Sequence, residues 1–369
     1  MDEGNSLLTS RQLGMLLWAG MISPLIRQVP GVMTDFAGGA AWLSALLCVP
    51  AAGMLGLFTA GMLRSRAPGE GLGELLCRTA GPLPGRLTVG AFGAWTVFYA
   101  GFVLRAGADR FVSAMYPDSR DWPFMAVMGL LALMAGAGRL KTLARCAQIT
   151  APVLWAVFAA VFLFCLPNAD LSELWPPAGP SPGGVLRAAV PMLWTMGVGV
   201  LPAFLAGETE PGSLSGAFGL PMMTLAGLGA VLCAATAGTF GPELTGELRY
   251  PFFVMLRGVR VFDLLERVEA LIVVQWAAAD FLLLGTLLHL ARRCLALALR
   301  GPGTEPGRTG AFLCAGAAFL CGRGCAGSAF ALRELGERFI APVTGALAFA
   351  LLPLVWAAGR LRGKKQTAP

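Results

Sequence analysis

The sequence predicts an all-α integral membrane protein of ten transmembrane helices, and three observations carry that prediction. Of 369 residues, 56% are hydrophobic and only 13% charged, with a mean hydropathy of +0.69; a soluble domain usually carries about 25% charged residues. Residues 42–63 and 147–166 contain no charge at all, and each is long enough for the roughly 20 apolar residues that cross a bilayer core as a helix. Both runs are continuous rather than alternating. Lipid admits only helices or a closed barrel, because the backbone must satisfy itself, and continuous runs select helices.

Taken in order, the first span is 12–33, interrupted at Ser23-Pro24 and at Pro30. The second, 42–63, stops at Arg64 and Arg66, and the third, 87–104, stops at Arg105. The fourth, 122–138, and the fifth, 147–166, are separated by Arg139, Lys141 and Arg145. A turn-rich GPSPGG at 179–184 leads into the sixth, 188–207, which is followed by the seventh, 214–240. After a polar stretch, 241–269, come the eighth, 270–290, the ninth, 310–332, which carries Arg323, and the tenth, 339–358. The chain is thus one membrane domain in two five-helix halves, 1–166 and 183–358, with a basic tail at 359–369. Within the polar stretch, YPFFVMLRGVRV at 250–261 mixes aromatics with Arg257 and Arg260. It is either a helix lying at the membrane interface or one packed on neighbouring protein loops.

Orientation follows from the loops, since Lys and Arg concentrate on the cytoplasmic side. Arg64, Arg66, Arg78, Arg86, Arg139, Lys141, Arg145, Arg292, Arg293, Arg300 and Arg308 share a side with the tail residues Arg360, Arg362, Lys364 and Lys365. On the other side, Arg110 and Arg120 are interleaved with Asp109, Asp118 and Asp121, although Arg249, Arg257, Arg260, Arg267, Arg333 and Arg338 also fall there. Both termini are therefore expected in the cytoplasm. The net charge of +7 then reflects loops facing anionic lipid and gives no reason to expect nucleic acid. The opening MDEGNS has acids where a signal peptide has bases, so no cleaved leader is expected.

Of the nine cysteines, Cys48, Cys165, Cys233 and Cys314 sit inside apolar runs, where a thiol behaves as a small hydrophobe. Cys321 and Cys325 are one turn apart with no His nearby, and the single His289 is expected to be a satisfied polar group. No metal or cofactor is expected. There is no phosphate-binding loop, catalytic triad or paired-carboxylate signature, so nothing points to an enzyme.

Secondary transporters built from inverted repeats bind substrate at interrupted helices, whose unwound turns expose backbone groups and whose half-helix dipoles face the ligand. Ten spans divide five plus five, which makes the first and sixth equivalent. The first reads GMISPLIRQVPG with Pro24 and Pro30, and the sixth reads MGVGVLP with Met196, Gly197, Gly199 and Pro202. Both are expected to be broken. Ionisable residues inside spans are costly unless they face the bundle interior. Asp280, in WAAADFLLL, is the clearest case, with no basic residue within a turn on its own helix. Its role is either ligand, cation or proton binding, or a structural hydrogen bond to another helix. Arg27 either snorkels outward or pairs with Asp35. Glu208 either lines an inner gate or is a solvated helix end.

These residues resemble the B subunits of spore germinant receptors, which are endospore germination permeases of the amino acid–polyamine–organocation superfamily. The resemblance rests on YPFFVMLRGVRVFDLLERVEALIVVQW at 250–276, with Glu266, Arg267, Glu269, Ala270 and Trp276 in the family's pattern. It is extended by GRLKTLARCAQITAPVL at 138–154, LPNADLSELWP at 166–176 and LTSRQLGMLLWAG at 8–20. It implies a ten-helix amino-acid permease fold and a receptor with A and C subunits in the spore inner membrane. It also implies recognition of a nutrient such as an amino acid. One departure stands out: where the family has Gly-x-Gly in the first span, this chain has Ser23, Pro24 and Leu25. A leucine there leaves less room for a small amino acid such as alanine than two glycines do.

The expected ligand site lies between the first, third, sixth and eighth spans, at Ser23, Pro24, Leu25, Tyr99, Met196, Gly197, Gly199 and Asp280. Glu208, Glu266 and Arg267 are the expected gate or coupling residues. A germinant-sensing subunit is the favoured reading. An amino-acid transporter coupled to H⁺ or Na⁺ through Asp280 is the alternative, and a subunit that only anchors partners is the third.

Overall fold

The structure is a computed structural model and describes residues 7–116, 118–165, 169–175, 179–257, 268–304 and 306–366. Among the described residues there is no β-strand, only a single parallel bridge between Leu8 and Thr209. Seven helical stretches there are long and apolar enough to cross a membrane, and Trp122–Ala137 is a shorter apolar helix. The fold is that of an all-α membrane protein.

Helix α1, Ser10–Ala37, opens on a capping box between Thr9 and Gln12, which satisfies two of the free N–H groups at its start. It runs through Pro24 and Pro30 as one helix, so the expected break in the first span is absent. A proline removes one backbone hydrogen bond, and here neighbours on several sides hold the helix in register: α1 packs against α6 (Leu140–Cys165), α7 (Pro182–Met196), α8 (Ser215–Glu247) and α10 (Val268–Arg300). In the sixth span the interruption is present. Helix α7 ends at Met196 and the chain continues as a 3₁₀ segment, Gly197–Glu208, with Pro202 inside it. Helix α8 bends at Gly241, whose φ of 76° suits glycine.

Between α2 (Ala41–Met62) and α4 (Pro82–Met115) lies an amphipathic helix that hydropathy alone does not show, α3 (Leu72–Ala80). Its Leu72, Leu75 and Leu76 are fully buried. Helix α4 continues well beyond the expected end at residue 104 because its charges have partners: Arg105 meets Asp121, Asp109 meets Arg249, and Arg110 meets Asp280. Arg110 is therefore a buried helical residue, not a loop charge. Helix α5 (Trp122–Ala137) follows.

The short α9, Pro251–Arg257, buries Phe252, Phe253 and Met255, as expected of a helix packed on protein. Residues 258–267, with Glu266 and Arg267, lie outside the described residues. Helix α11, Arg308–Gly324, stops eight residues before the expected end at 332. A new helix starts where the Ser328 hydroxyl accepts from the Ala331 N–H at 3.2 Å. That last run comprises α12 (Ala329–Leu335), a π turn (Gly336–Ile340), α13 (Ala341–Ala346), a second π turn (Leu347–Leu351) and α14 (Leu352–Gln366).

The packing is regular. Helix α1 packs on α7, α2 on α8, α4 on α10 and α5 on α11.

Candidate functional site

Helices α1, α4 and α10 meet at three polar side chains: Ser23, Arg110 and Asp280, which are 0%, 3% and 4% exposed. The Ser23 hydroxyl donates to Asp280 Oδ1, Arg110 Nη2 donates to Asp280 Oδ2, and the same Nη2 donates to Ser23 Oγ at 3.0 Å. The basic partner of Asp280 thus comes from a different helix, 170 positions away in sequence. Gly107 permits the contact: a Cβ at that position would lie 2.9 Å from Asp280 Oδ2. Stacking adds a further constraint, since the Arg110 guanidinium lies over the Trp276 ring at 5.6 Å. Trp276 in turn meets Phe253, with ring centroids 5.1 Å apart.

Arg110, Trp276 and Asp280 border a cavity of about 380 Å³ between α4, α5 and α10. The rest of its wall is apolar, including Phe111, Phe124 and Met128. Two buried donors at this edge, Arg110 Nη1 and Trp276 Nε1, have no hydrogen-bond partner. Buried donors are normally satisfied, so the cavity has a polar end able to take an acceptor atom. An apolar pocket with a few convergent polar groups is the usual form of a small-molecule site.

The other expected site residues are dispersed. Tyr99 is buried between Trp95 and Phe102 in a row of stacked rings. Leu25 lies with Met192 over Gly229 of α8. Met196 is fully buried. Gly197 faces Thr344 and Ala348, and Gly199 faces Met222, so both glycines serve close packing. Pro24 lies within the continuous α1. Arg27 does not pair with Asp35, whose partner is Arg333 at 3.5 Å; its guanidinium lies over the Phe102 ring at 4.8 Å.

Glu208 belongs to a network on the amino-terminal face. Arg293 reaches Glu74 at 2.9 Å, Glu208 at 3.3 Å and the Gly69 carbonyl at 3.2 Å. Arg66 donates to the carbonyls of Ala206 at 2.9 Å and Glu210 at 3.1 Å. The Leu8 N–H donates to the Glu208 carbonyl at 2.8 Å. On the opposite face, Arg249 and the Tyr250 hydroxyl both donate to Asp109 Oδ2. His289 is bonded on both ring nitrogens, to the Ala135 carbonyl at 3.0 Å and to Arg292 at 2.9 Å. Among the described residues no three His, Cys, Asp or Glu side chains cluster as metal ligands.

A family profile described as spore germination protein matches residues 7–293, most of the chain. The chain belongs to the spore germination protein family. No curated protein matches it. Solved structures similar to this spore germination permease include a transporter and a symporter. The nucleobase-cation-symport-1 family transporter Mhp1, closed with bromovinylhydantoin bound, superposes with a TM-score of 0.67 at 14% identity, over 96% of this chain and 80% of that one. MhsT in complex with L-phenylalanine gives 0.60 at 14% identity, over 97% of both chains. A Na⁺-coupled sialic acid symporter, outward-open with substrate, gives 0.63 at 11% identity, over 99% of this chain and 92% of that one. At such identities the likeness shows the fold, a transporter fold of helices alone.

The sequence pointed to Ser23 and Asp280 but missed Arg110, Trp276 and Gly107 as parts of the same site. Arg110 follows Asp109 just past the apolar run that ends at residue 104, which reads as a loop; nothing local marks it as the partner of Asp280.

Proposed function

We propose that this chain is the nutrient-binding membrane subunit of a spore germinant receptor. A single observation carries the site: the buried Ser23–Arg110–Asp280 cluster stands at the polar end of an apolar cavity, in a transporter fold, in a member of the spore germination family. A small nutrient with an apolar body would occupy the cavity and present an acceptor to Arg110 Nη1 and Trp276 Nε1. The family supplies the expectation of A and C partner subunits and of the spore inner membrane. The similar proteins, whose ligands are bromovinylhydantoin, L-phenylalanine and sialic acid, support a small organic ligand.

The proposal includes ten crossings, made by α1, α2, α4, α5, α6, α7 with its 3₁₀ extension, α8, α10, α11 and the run from α12 to α14. The pairing of α1 with α7, α2 with α8, α4 with α10 and α5 with α11 joins four of the five helices of the first half to their counterparts in the second. That pattern supports a five-plus-five inverted repeat. With ten crossings and the basic loops inside, both termini are cytoplasmic. Charged bonds hold both faces, and ligand binding shifts the balance toward another state only by the difference in its affinity for the two.

Transport is the second reading, favoured by the symporters with the same fold. An uptake assay on the chain alone, beside germination of a deletion strain against a panel of nutrients, separates the two. Loss of response to one nutrient without uptake by the chain is the expected result. Saturable uptake with unaltered germination would support the transporter instead.

A further inference from the structure

A second cavity, on the other side of α4, is bordered by Arg27, Gly31, Phe102, Ala106, Tyr250 and Arg333. It is small, about 40 Å³, which is room for about three or four water-sized groups, each needing roughly 10–15 Å³ by this measure. Arg27 stands out within it. Its Nε, Nη1 and Nη2 are all buried, and none has a hydrogen-bond partner. The Tyr99 hydroxyl, a neutral group, is close enough to interact with it, and one face of the guanidinium is covered by Phe102.

The nearby acids are all engaged elsewhere. Asp280 is held by Arg110, Asp109 by Arg249, and Asp35 and Glu337 by Arg333. Arg27 is therefore a cation inside a membrane-spanning helix with five N–H donors and no counter-ion among the described residues. A buried charge left in this condition is costly, and such residues in membrane proteins mark ligand or ion sites. The planar fork of a guanidinium matches a carboxylate, and it also attracts a simple halide.

We propose that Arg27 is the anchor of a compact-anion site in this second cavity, separate from the Asp280 cavity. The occupant is a single small anion, either an inorganic ion or the carboxylate of a small organic acid. The site stands whether the chain senses or transports, because it depends on neither the Asp280 cluster nor the partner subunits.

The test is thermal unfolding of the full chain in nanodiscs at constant ionic strength. Sodium gluconate, whose anion is too bulky for the cavity, is exchanged for sodium chloride or sodium acetate, and glycine is compared with glycinamide. The wild type is expected to gain several degrees, saturably, with at least one compact anion. In Arg27→Gln the midpoint of that effect should move at least tenfold to higher concentration, while the anion-free protein melts at the same or a higher temperature. A response to chloride alone assigns an inorganic ion; a response to acetate and glycine but not glycinamide assigns a carboxylate. Identical melting of the wild type in all these salts overturns the proposal. So does an anion response left unchanged in Arg27→Gln. If that variant fails to fold, Arg27→Lys, which keeps the charge but loses the fork, must shift the midpoint; an unshifted midpoint overturns the proposal equally.

Discussion

Arg110 and Asp280 form an ion pair whose side chains are 3% and 5% exposed, on helices brought together by the fold. Removing one partner leaves the other as an unpaired buried charge, which typically costs about 3–5 kcal/mol, whereas replacing both with apolar residues is often neutral. Asp280→Ala is thus expected to lower unfolding stability in nanodiscs by about that amount. The double variant Arg110→Met/Asp280→Leu should recover most of it. A double variant as unstable as the single one would show that the pair is not the source of the loss.

Gly107 is expected to be intolerant of a methyl group. Gly107→Ala places a Cβ 2.9 Å from Asp280 Oδ2, forcing α4 and α10 apart at an overpacking cost of about 1–3 kcal/mol. Gly90, also on the α4–α10 contact, is the control: its added Cβ would meet Ala298 Cβ at a comfortable 3.7 Å. The two alanine variants should differ in melting temperature, with Gly90→Ala near wild type. Equal effects would place the close approach elsewhere.

The continuity of α1 makes a clear forecast for Pro24. In an unbroken helix, Pro24→Ala restores a backbone hydrogen bond to the Gly20 carbonyl, and an interior proline disfavours a helix by about 3 kcal/mol relative to alanine. The variant should melt higher than wild type and keep its nutrient dose–response. A shifted dose–response would mean that α1 opens at Pro24 during function.

On the amino-terminal face, Arg293 ties Glu208, Glu74 and Gly69 together. These groups are partly exposed, so the link is worth about 1 kcal/mol or less. Arg293→Gln should loosen this end and shift the nutrient concentration for half-maximal germination about fivefold downward. An unchanged threshold would make the network structural only.

Much of the helical framework was legible in the sequence, because uninterrupted apolar runs such as 42–63 and 147–166 have no other stable form in lipid. The interruption after Met196 was legible as well, from Gly197, Gly199 and Pro202. Other features depended on partners that no local pattern reveals. Arg105, Asp109 and Arg110 read as the end of a span, yet each finds an opposite charge on another segment, and α4 continues through them. Pro24 and Pro30 read as breaks, but packing on four sides carries α1 across both. The amphipathic α3 was hidden because its nine residues are too short for a hydropathy signal. Of the site, the sequence offered Ser23 and Asp280 singly; only the fold joins them, by a direct hydrogen bond and through Arg110.

The most direct measurement is germination of a deletion strain complemented with Arg110→Met/Asp280→Leu, scored against the nutrient that the wild-type gene restores. Immunoblotting of spore membranes would confirm insertion at wild-type levels. The account predicts a protein that is present and folded but gives no response, or one needing at least a hundredfold more nutrient. A normal dose–response from that variant would contradict the claim that the buried cluster of α1, α4 and α10 is where the nutrient is read.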